Sequence, residues 1–206
     1  MSLRRLLRRV RREEGYSLIE MLTVMAIMGV VMSSLTTVFV TASNSETDMN
    51  NRYQAQLTAR LALDTMRREV HCAKVATPAN AGATSSVTLT LSWTQSDGTT
   101  FNCKTGSGFV TWCTRNVATN RYALYRVVGS TCSGGVNWGD FLVPSAGATA
   151  CGSPTALCIF TYTAQSTSSL AKLHVDIPVN VRPAKTVERY ELVDDIVLRN
   201  SSRTAP

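Results

Sequence analysis

Histidine is almost missing from this chain: His71 and His174 are the only two in 206 residues. Two imidazoles are too few for a multi-histidine metal site, and neither is placed with a nucleophile. GxGxxG and GxxxxGK[ST] are both absent, so the GSG ending at Gly108 is a turn and not a phosphate cradle. The six cysteines include no CxxC pair, and their gaps of 31, 10, 19, 19 and 7 residues fit no zinc-finger spacing. These absences exclude most catalytic chemistry, and the expectation is a protein that is not an enzyme and carries no cofactor or metal. Charge and proline are also missing from one long stretch. Residues 21–43 contain neither, and they are mostly Leu, Val, Met, Ile and Ala with scattered Ser and Thr.

What is present is unevenly placed. Formal net charge is +7, but residues 1–15 hold six Arg and two Glu, so +4 of it sits at the N-terminal tip and +3 in the rest. Whole-chain basicity is therefore a poor argument for nucleic acid binding. The length suits one domain plus an appendage. All six cysteines, Cys72, Cys103, Cys113, Cys132, Cys151 and Cys158, lie downstream of the apolar stretch. An even number on one side of a membrane segment points to disulfides in an oxidising compartment, with 15 connectivities open.

As a helix, residues 21–43 span about 35 Å, enough for a ~30 Å hydrocarbon core. Arginines come first, the apolar stretch second, and Asn44, Glu46, Asp48, Asn50 and Asn51 third. That order places the N-terminus in the cytoplasm and the bulk of the chain outside. The stretch is longer than the apolar core of a cleaved secretory signal. Glu20 stands at its mouth, and a lone carboxylate there costs about 2–3 kcal/mol unless it marks the interface or has a task.

The segment Gly15-Tyr16-Ser17-Leu18-Ile19-Glu20-Met21-Leu22 after a basic leader resembles the prepilin signal of type IV pilins and type II secretion pseudopilins. The resemblance implies cleavage by a prepilin peptidase between Gly15 and Tyr16, with N-methylation of Tyr16. The new amine is cationic at neutral pH. Glu20, four residues on, then becomes a docking group that an incoming subunit's amine neutralises, because a low-dielectric pair is favourable only when both partners are present. Two positions depart from the family: Tyr16 stands where Phe is usual, and Thr37 where major pilins carry a helix-bending proline. Gly29 keeps the family's small residue.

Beyond residue 43 the helical pattern continues. Met49, Tyr53, Leu57 and Leu61 recur every four residues with Leu63, Met66, Val70 and Ala73 alongside, an amphipathic stripe ringed by arginines. Thr77-Pro78 and then Gly82 predict its end. The stretch ARLALDTMRREVHCAK is similar to the helix of W-type minor pilins and J-type minor pseudopilins. From Gly82 the period changes from 3.6 to 2. Val87, Leu89, Leu91 and Trp93 alternate with hydroxyl residues, and Asp97-Gly98 predicts a hairpin turn into a strand over 99–104. Further strands are expected at 109–114, 122–128, 157–163, 170–181 and 187–198, with Pro178 on an edge or bulge. Residues 129–135 and 145–154 read as long loops, and 201–206 as a tail. VERYELVDDIVLRN resembles the last strand of pilin-like heads.

The expected architecture is α+β: a leader over 1–15 that is cleaved, a transmembrane helix over 16–43, its amphipathic continuation over 44–76, and a mainly antiparallel β head over 77–206. The expected function is a structural, minor subunit of a type IV-like filament serving pilus assembly, protein secretion or DNA uptake. It would sit in the bacterial cell membrane by a single pass, with the head extracytoplasmic, before entering the filament. Its partners are the peptidase and other pilin or pseudopilin subunits. The alternative is a signal-anchored surface protein with an adhesin-like or other binding head, which keeps its leader and has no need of Glu20. Nucleic acid enters only if the filament serves DNA uptake, since Arg121 and Arg126 fall on opposite strand faces. Asp194 and Asp195 with Asp176 or Asp140 could hold calcium, as acidic groups do in some secretion pseudopilins, but no EF-hand spacing supports it.

Overall fold

The computed structural model describes residues 16–79, 82–103, 108–145, 149–151, 156–182 and 188–201. The leader over 1–15, Lys104, Gly106 and the tail after Ser201 lie outside these residues. The chain divides into two compact units, Met1–Asp48 and Met49–Pro206. The fold is α+β.

One helix, α1 (Leu18–Cys72), contributes to both units. Its 55 residues include no proline and a single glycine, so nothing interrupts the ladder of i→i−4 bonds. Where a helix-bending proline would stand, Thr37 donates its hydroxyl to the Ser34 carbonyl at 2.8 Å. Ser34, Thr36 and Thr41 likewise donate to carbonyls three or four residues back. Each hydroxyl is thus satisfied within the helix, as an apolar surrounding requires. Residues 16–47 are exposed throughout, aliphatic side chains included, so the described residues of this unit form no core of their own.

In the second unit α1 buries Leu63, Met66 and Val70 as expected, with Ala73 just after its end, but not the row at four-residue steps. Met49, Tyr53, Leu57 and Leu61 are 68%, 62%, 38% and 52% exposed, while Ala55, Ala59, Ala62, Leu63, Met66 and Val70 are buried. Four-residue steps advance 40° beyond a full turn, so that row winds away from the sheet. The buried set keeps to one side by mixing steps of three and four, and its alanines let the backbone lie close to the strands. The helix also ends earlier than expected. Asn200 donates its side-chain amide to the Cys72 carbonyl at 2.7 Å, and the Lys74 amide turns to Thr90 O, at 3.0 Å. Residues 75–77, read as the helix end, instead form strand β1 (Val75–Thr77).

The strands that follow are β2 (Ala83–Thr84), β3 (Ser86–Thr90), β4 (Ser92–Thr94), β5 (Thr100–Asn102), β6 (Phe109–Ala118) and β7 (Arg121–Val128). After them come β8 (Val136–Leu142), β9 (Thr149–Ala150), β10 (Leu157–Cys158), β11 (Phe160–Thr163), β12 (Lys172–Val179) and β13 (Tyr190–Val197). Nine of them form one antiparallel sheet in the order β1-β3-β6-β7-β8-β12-β11-β2, with β13 on the other side of β12. Only Ser85 separates β2 from β3, so the sheet curls until its far end meets the chain near its start. The strand expected over residues 87–93 is broken at Leu91, where the chain leaves the main sheet for the β4–β5 hairpin.

Pro178 sits inside the sheet and not on an edge, because β13 pairs along all of β12. Its carbonyl accepts from the Val143 amide at 3.0 Å, so its nitrogen faces the seam where β12 changes neighbour from β11 to β8. No ladder bond is lost there. Strand β8 was not anticipated. Gly139 interrupts its apolar pattern, and its pairing to β7 shifts register twice. The turn before it needs Gly135, at φ +83°, because a Cβ there would meet Arg126 O at 2.5 Å.

A buried polar contact fixes helix to sheet. Glu69 is 6% exposed. Its Oε2 accepts from Trp112 Nε1 at 2.7 Å, and its Oε1 from Arg126 Nε at 2.8 Å and Nη2 at 2.5 Å. The fully buried Trp112 ring packs edge-on against Trp138, 6.0 Å between centroids. Around these lie Leu89, Leu124, Leu142, Phe160, Leu173 and Ile177.

Removing only the carboxylate would strand a guanidinium and an indole N–H. Glu69→Ala should therefore destabilise the head by about 3–5 kcal/mol. The paired replacement Glu69→Leu with Arg126→Met should recover most of that loss, measured by urea unfolding of the detergent-solubilised chain.

Candidate functional site

Position 16 precedes α1, and the helix starts at Leu18. The Ser17 carbonyl accepts the first helical bonds, from the amides of Glu20 at 2.9 Å and Met21 at 3.2 Å. Ser17 and Glu20 have the S-x-x-E spacing of a helix start, a signal not used in the sequence reading above. Glu20 is the acidic residue of the first turn, where the exposed amide dipoles favour negative charge. An amine at Tyr16 would add a second positive charge beside it. Gly15 lies outside the described residues. C-terminal to Glu20, α1 is long and apolar enough to cross a membrane, and Leu18, Ile19, Met25 and Ile27 are all more than half exposed. An exposed apolar surface of this extent requires lipid or other protein around it.

The six cysteines form three disulfides. Cys72–Cys103 ties the end of α1 to the chain just after β5, Cys113–Cys132 ties β6 to the 129–135 segment, and Cys151–Cys158 closes the short β9–β10 pair. With partners separated by 31, 19 and 7 positions in sequence, chain-entropy reasoning gives about 4, 3 and 2 kcal/mol of restraint on the unfolded chain.

The arginines weighed for nucleic acid do not form one patch. Arg126 is turned inward onto Glu69. Arg121 pairs with Asp140 and lies 3.9 Å from the centre of the Phe141 ring. Arg115 stacks on Tyr125 at 4.2 Å and donates to Gly134 O at 2.6 Å. Trp112 and Tyr122 are core residues. The acidic residues are dispersed too: Asp194 meets Arg67 at 2.7 Å, Asp195 meets Lys172 at 3.1 Å and His174 at 2.8 Å, and Asp140 holds Arg121. Among the described residues no group of three or more His, Cys, Asp or Glu could hold a metal ion. His71 takes a structural place, its Nδ1 2.9 Å from Val197 O.

Residues 10–36 match the family model of the prokaryotic N-terminal methylation motif, the type IV pilin and pseudopilin signal. No curated protein and no solved structure matches the chain. The motif is the signal of type IV pilin-like and pseudopilin precursors, and the long apolar helix that carries it fits a membrane anchor.

One carboxylate in the head is poorly served. Asp176 is buried, its Oδ1 has no hydrogen-bond partner among the described residues, and its Oδ2 lies 3.5 Å from Ser145 Oγ. Burial raises its pKa above the ordinary carboxylate value, and the charge of Glu191 adds to the rise. The folded state therefore holds this proton more tightly than the unfolded chain. Its contribution to stability is complete below the unfolded value and is lost as pH climbs through the folded one. Asp176→Asn should flatten that fall, leaving the variant more stable than wild type at neutral pH and no more stable at acidic pH, read from melting temperature against pH.

Proposed function

We propose that this chain is a minor pilin or pseudopilin, a structural and non-catalytic subunit of an extracytoplasmic type IV-like filament in pilus assembly, protein secretion or DNA uptake. The observation that carries the reading is the methylation motif over residues 10–36, with Glu20 in the first turn of a membrane-length apolar helix. A prepilin peptidase cuts between Gly15 and Tyr16 at the cytoplasmic face and Tyr16 is methylated. The arginine-rich leader is left behind. The single membrane pass holds the head, including its three disulfides, in an oxidising compartment outside the cytoplasm.

Assembly follows from the charge left at the helix start. Glu20 in apolar surroundings is unfavourable alone, and so is the cationic amine of an incoming subunit; bringing them together removes both penalties. Helix packing supplies the remaining energy through the exposed aliphatic face. Two features support a minor place over a major one: the disulfide-tied head and the lack of a helix proline at Thr37.

The reading separates processing from assembly. Glu20→Ala should be cleaved and methylated like wild type, yet its amount in sheared filaments should fall by more than about a hundredfold, the equivalent of ~3 kcal/mol. Immunoblots of membrane and sheared fractions measure this. A Glu20→Ala chain that entered filaments at the wild-type level would remove the docking role.

A further inference from the structure

The β4–β5 hairpin projects from the main sheet as a separate two-stranded ribbon. Trp93 and Phe101 stand directly opposite one another on it. Their rings are stacked, 5.5 Å between centroids and 15° between planes. The pair is not core: Phe101 is 41% exposed and Trp93 is part-exposed. Two residues further along each strand, on the same face, Gln95 and Thr99 flank the turn and are joined by a 2.8 Å backbone bond. The base of the ribbon is anchored by Leu91, whose carbonyl accepts from the Cys103 amide at 2.9 Å, and by the Cys72–Cys103 disulfide. The partly exposed rings are therefore mounted on an anchored stem, while the tip carries the Gln95 amide and the Thr99 hydroxyl, which is hydrogen-bonded to Asp97 and keeps lone pairs as an acceptor.

We propose that this face of the hairpin binds a neutral polysaccharide chain. The ligand class follows from what the face offers. Flat rings receive the C–H face of a pyranose, through apolar contact and the attraction between C–H groups and the negative ring face. The amide and hydroxyl beside them match sugar hydroxyls as donor and acceptor. Charge excludes the main competitors. Between Leu91 and Cys103 there is no Lys or Arg, and a nucleic acid strand needs cations along its backbone as well as stacking rings. The one charged residue, Asp97, is turned into its own turn, where Oδ1 accepts from the Thr99 amide at 2.9 Å. An anionic glycan finds no cationic partner there, and the opposite face of the ribbon, Ser92, Thr94, Thr100 and Asn102, is polar, which keeps the ribbon as a whole out of a lipid layer. A cross-strand aromatic pair also stabilises a ribbon. That role leaves part of each residue exposed, and the alignment of the rings is set before any ligand arrives.

The test uses the full chain in a detergent without a sugar headgroup. Chitohexaose and cellohexaose are titrated by saturation-transfer NMR and calorimetry, with a 12-residue oligothymidylate as the charged control. At least one of the neutral sugars should bind, with Trp93→Ala and Phe101→Ala each weakening it by about tenfold or more and Trp93→Phe keeping most of the affinity. Asp97→Asn should change it less than about twofold. Matching melting temperatures for the alanine variants separate lost binding from a lost fold. Should one of them fail to match, Thr99→Val, which leaves the rings in place, serves instead and should weaken binding severalfold. The proposal is overturned if neither sugar binds wild type, if binding survives Trp93→Ala unchanged, or if the oligothymidylate binds through these rings and the sugars do not.

Discussion

A backbone in hydrocarbon has no water to satisfy its amides and carbonyls, and the first half of the helix is built to that constraint. The chain meets it with one helix that carries its backbone bonds internally and tucks the hydroxyls of Thr23, Ser34, Thr36, Thr37 and Thr41 back onto carbonyls of the preceding turn. With the polar groups closed off, the remaining surface is aliphatic on all sides, and it is stable only in lipid or among other such helices. Glu20 is the exception to that closure. Its position in the first turn lets helix dipoles compensate the charge, and under the proposed processing an amine at Tyr16 adds to them, whereas the same carboxylate one or two turns deeper would have neither.

The second half of the helix faces a different problem, since only one side of it has a sheet to meet. Alanines at 55, 59 and 62 permit close approach, and Leu63, Met66 and Val70 fill the space beyond them. Glu69 then fixes rotation, because its partners Trp112 and Arg126 come from two adjacent strands. Along the same helix Arg52 pairs with Glu188, Arg60 meets the Tyr190 hydroxyl at 2.9 Å, and Arg67 meets Asp194. These polar contacts hold the C-terminal strand beside the helix where little apolar surface is available. The three disulfides restrain segments too rich in Ser, Thr and Gly to be held by burial.

The helix, its apolar half, the change to period two and most strands were legible because each rests on a local pattern. The Asp97-Gly98 hairpin formed as its turn chemistry dictates, with Gly98 at φ +84°. What could not be read depended on distant partners. On the helix, Leu63, Met66, Val70 and Ala73 were legible in the stripe and are buried, whereas Ala55, Ala59 and Ala62 were not, because alanine is a weak hydrophobic marker and the larger Met49, Tyr53, Leu57 and Leu61 drew attention to the exposed side. Strand β8 was hidden by Gly139 and its two register shifts, and Pro178 gave a misleading signal because its nitrogen falls at a seam that topology alone creates. Glu69 carries no local signal, because its partners Trp112 and Arg126 lie 43 and 57 residues away along the chain. The helix-start signal of Ser17 and Glu20 was available in the sequence and overlapped the motif that drew attention to Glu20 for another reason.

The central claim is that this helix reaches its working state only after the arginine leader is removed. Intact mass and N-terminal sequencing of the chain from membranes of cells with a prepilin peptidase, alongside Gly15→Asp, test it most directly. The account requires wild type to begin at N-methylated Tyr16 and the variant to keep its leader. A wild-type chain that still carries residues 1–15 would contradict it and leave a signal-anchored surface domain in its place.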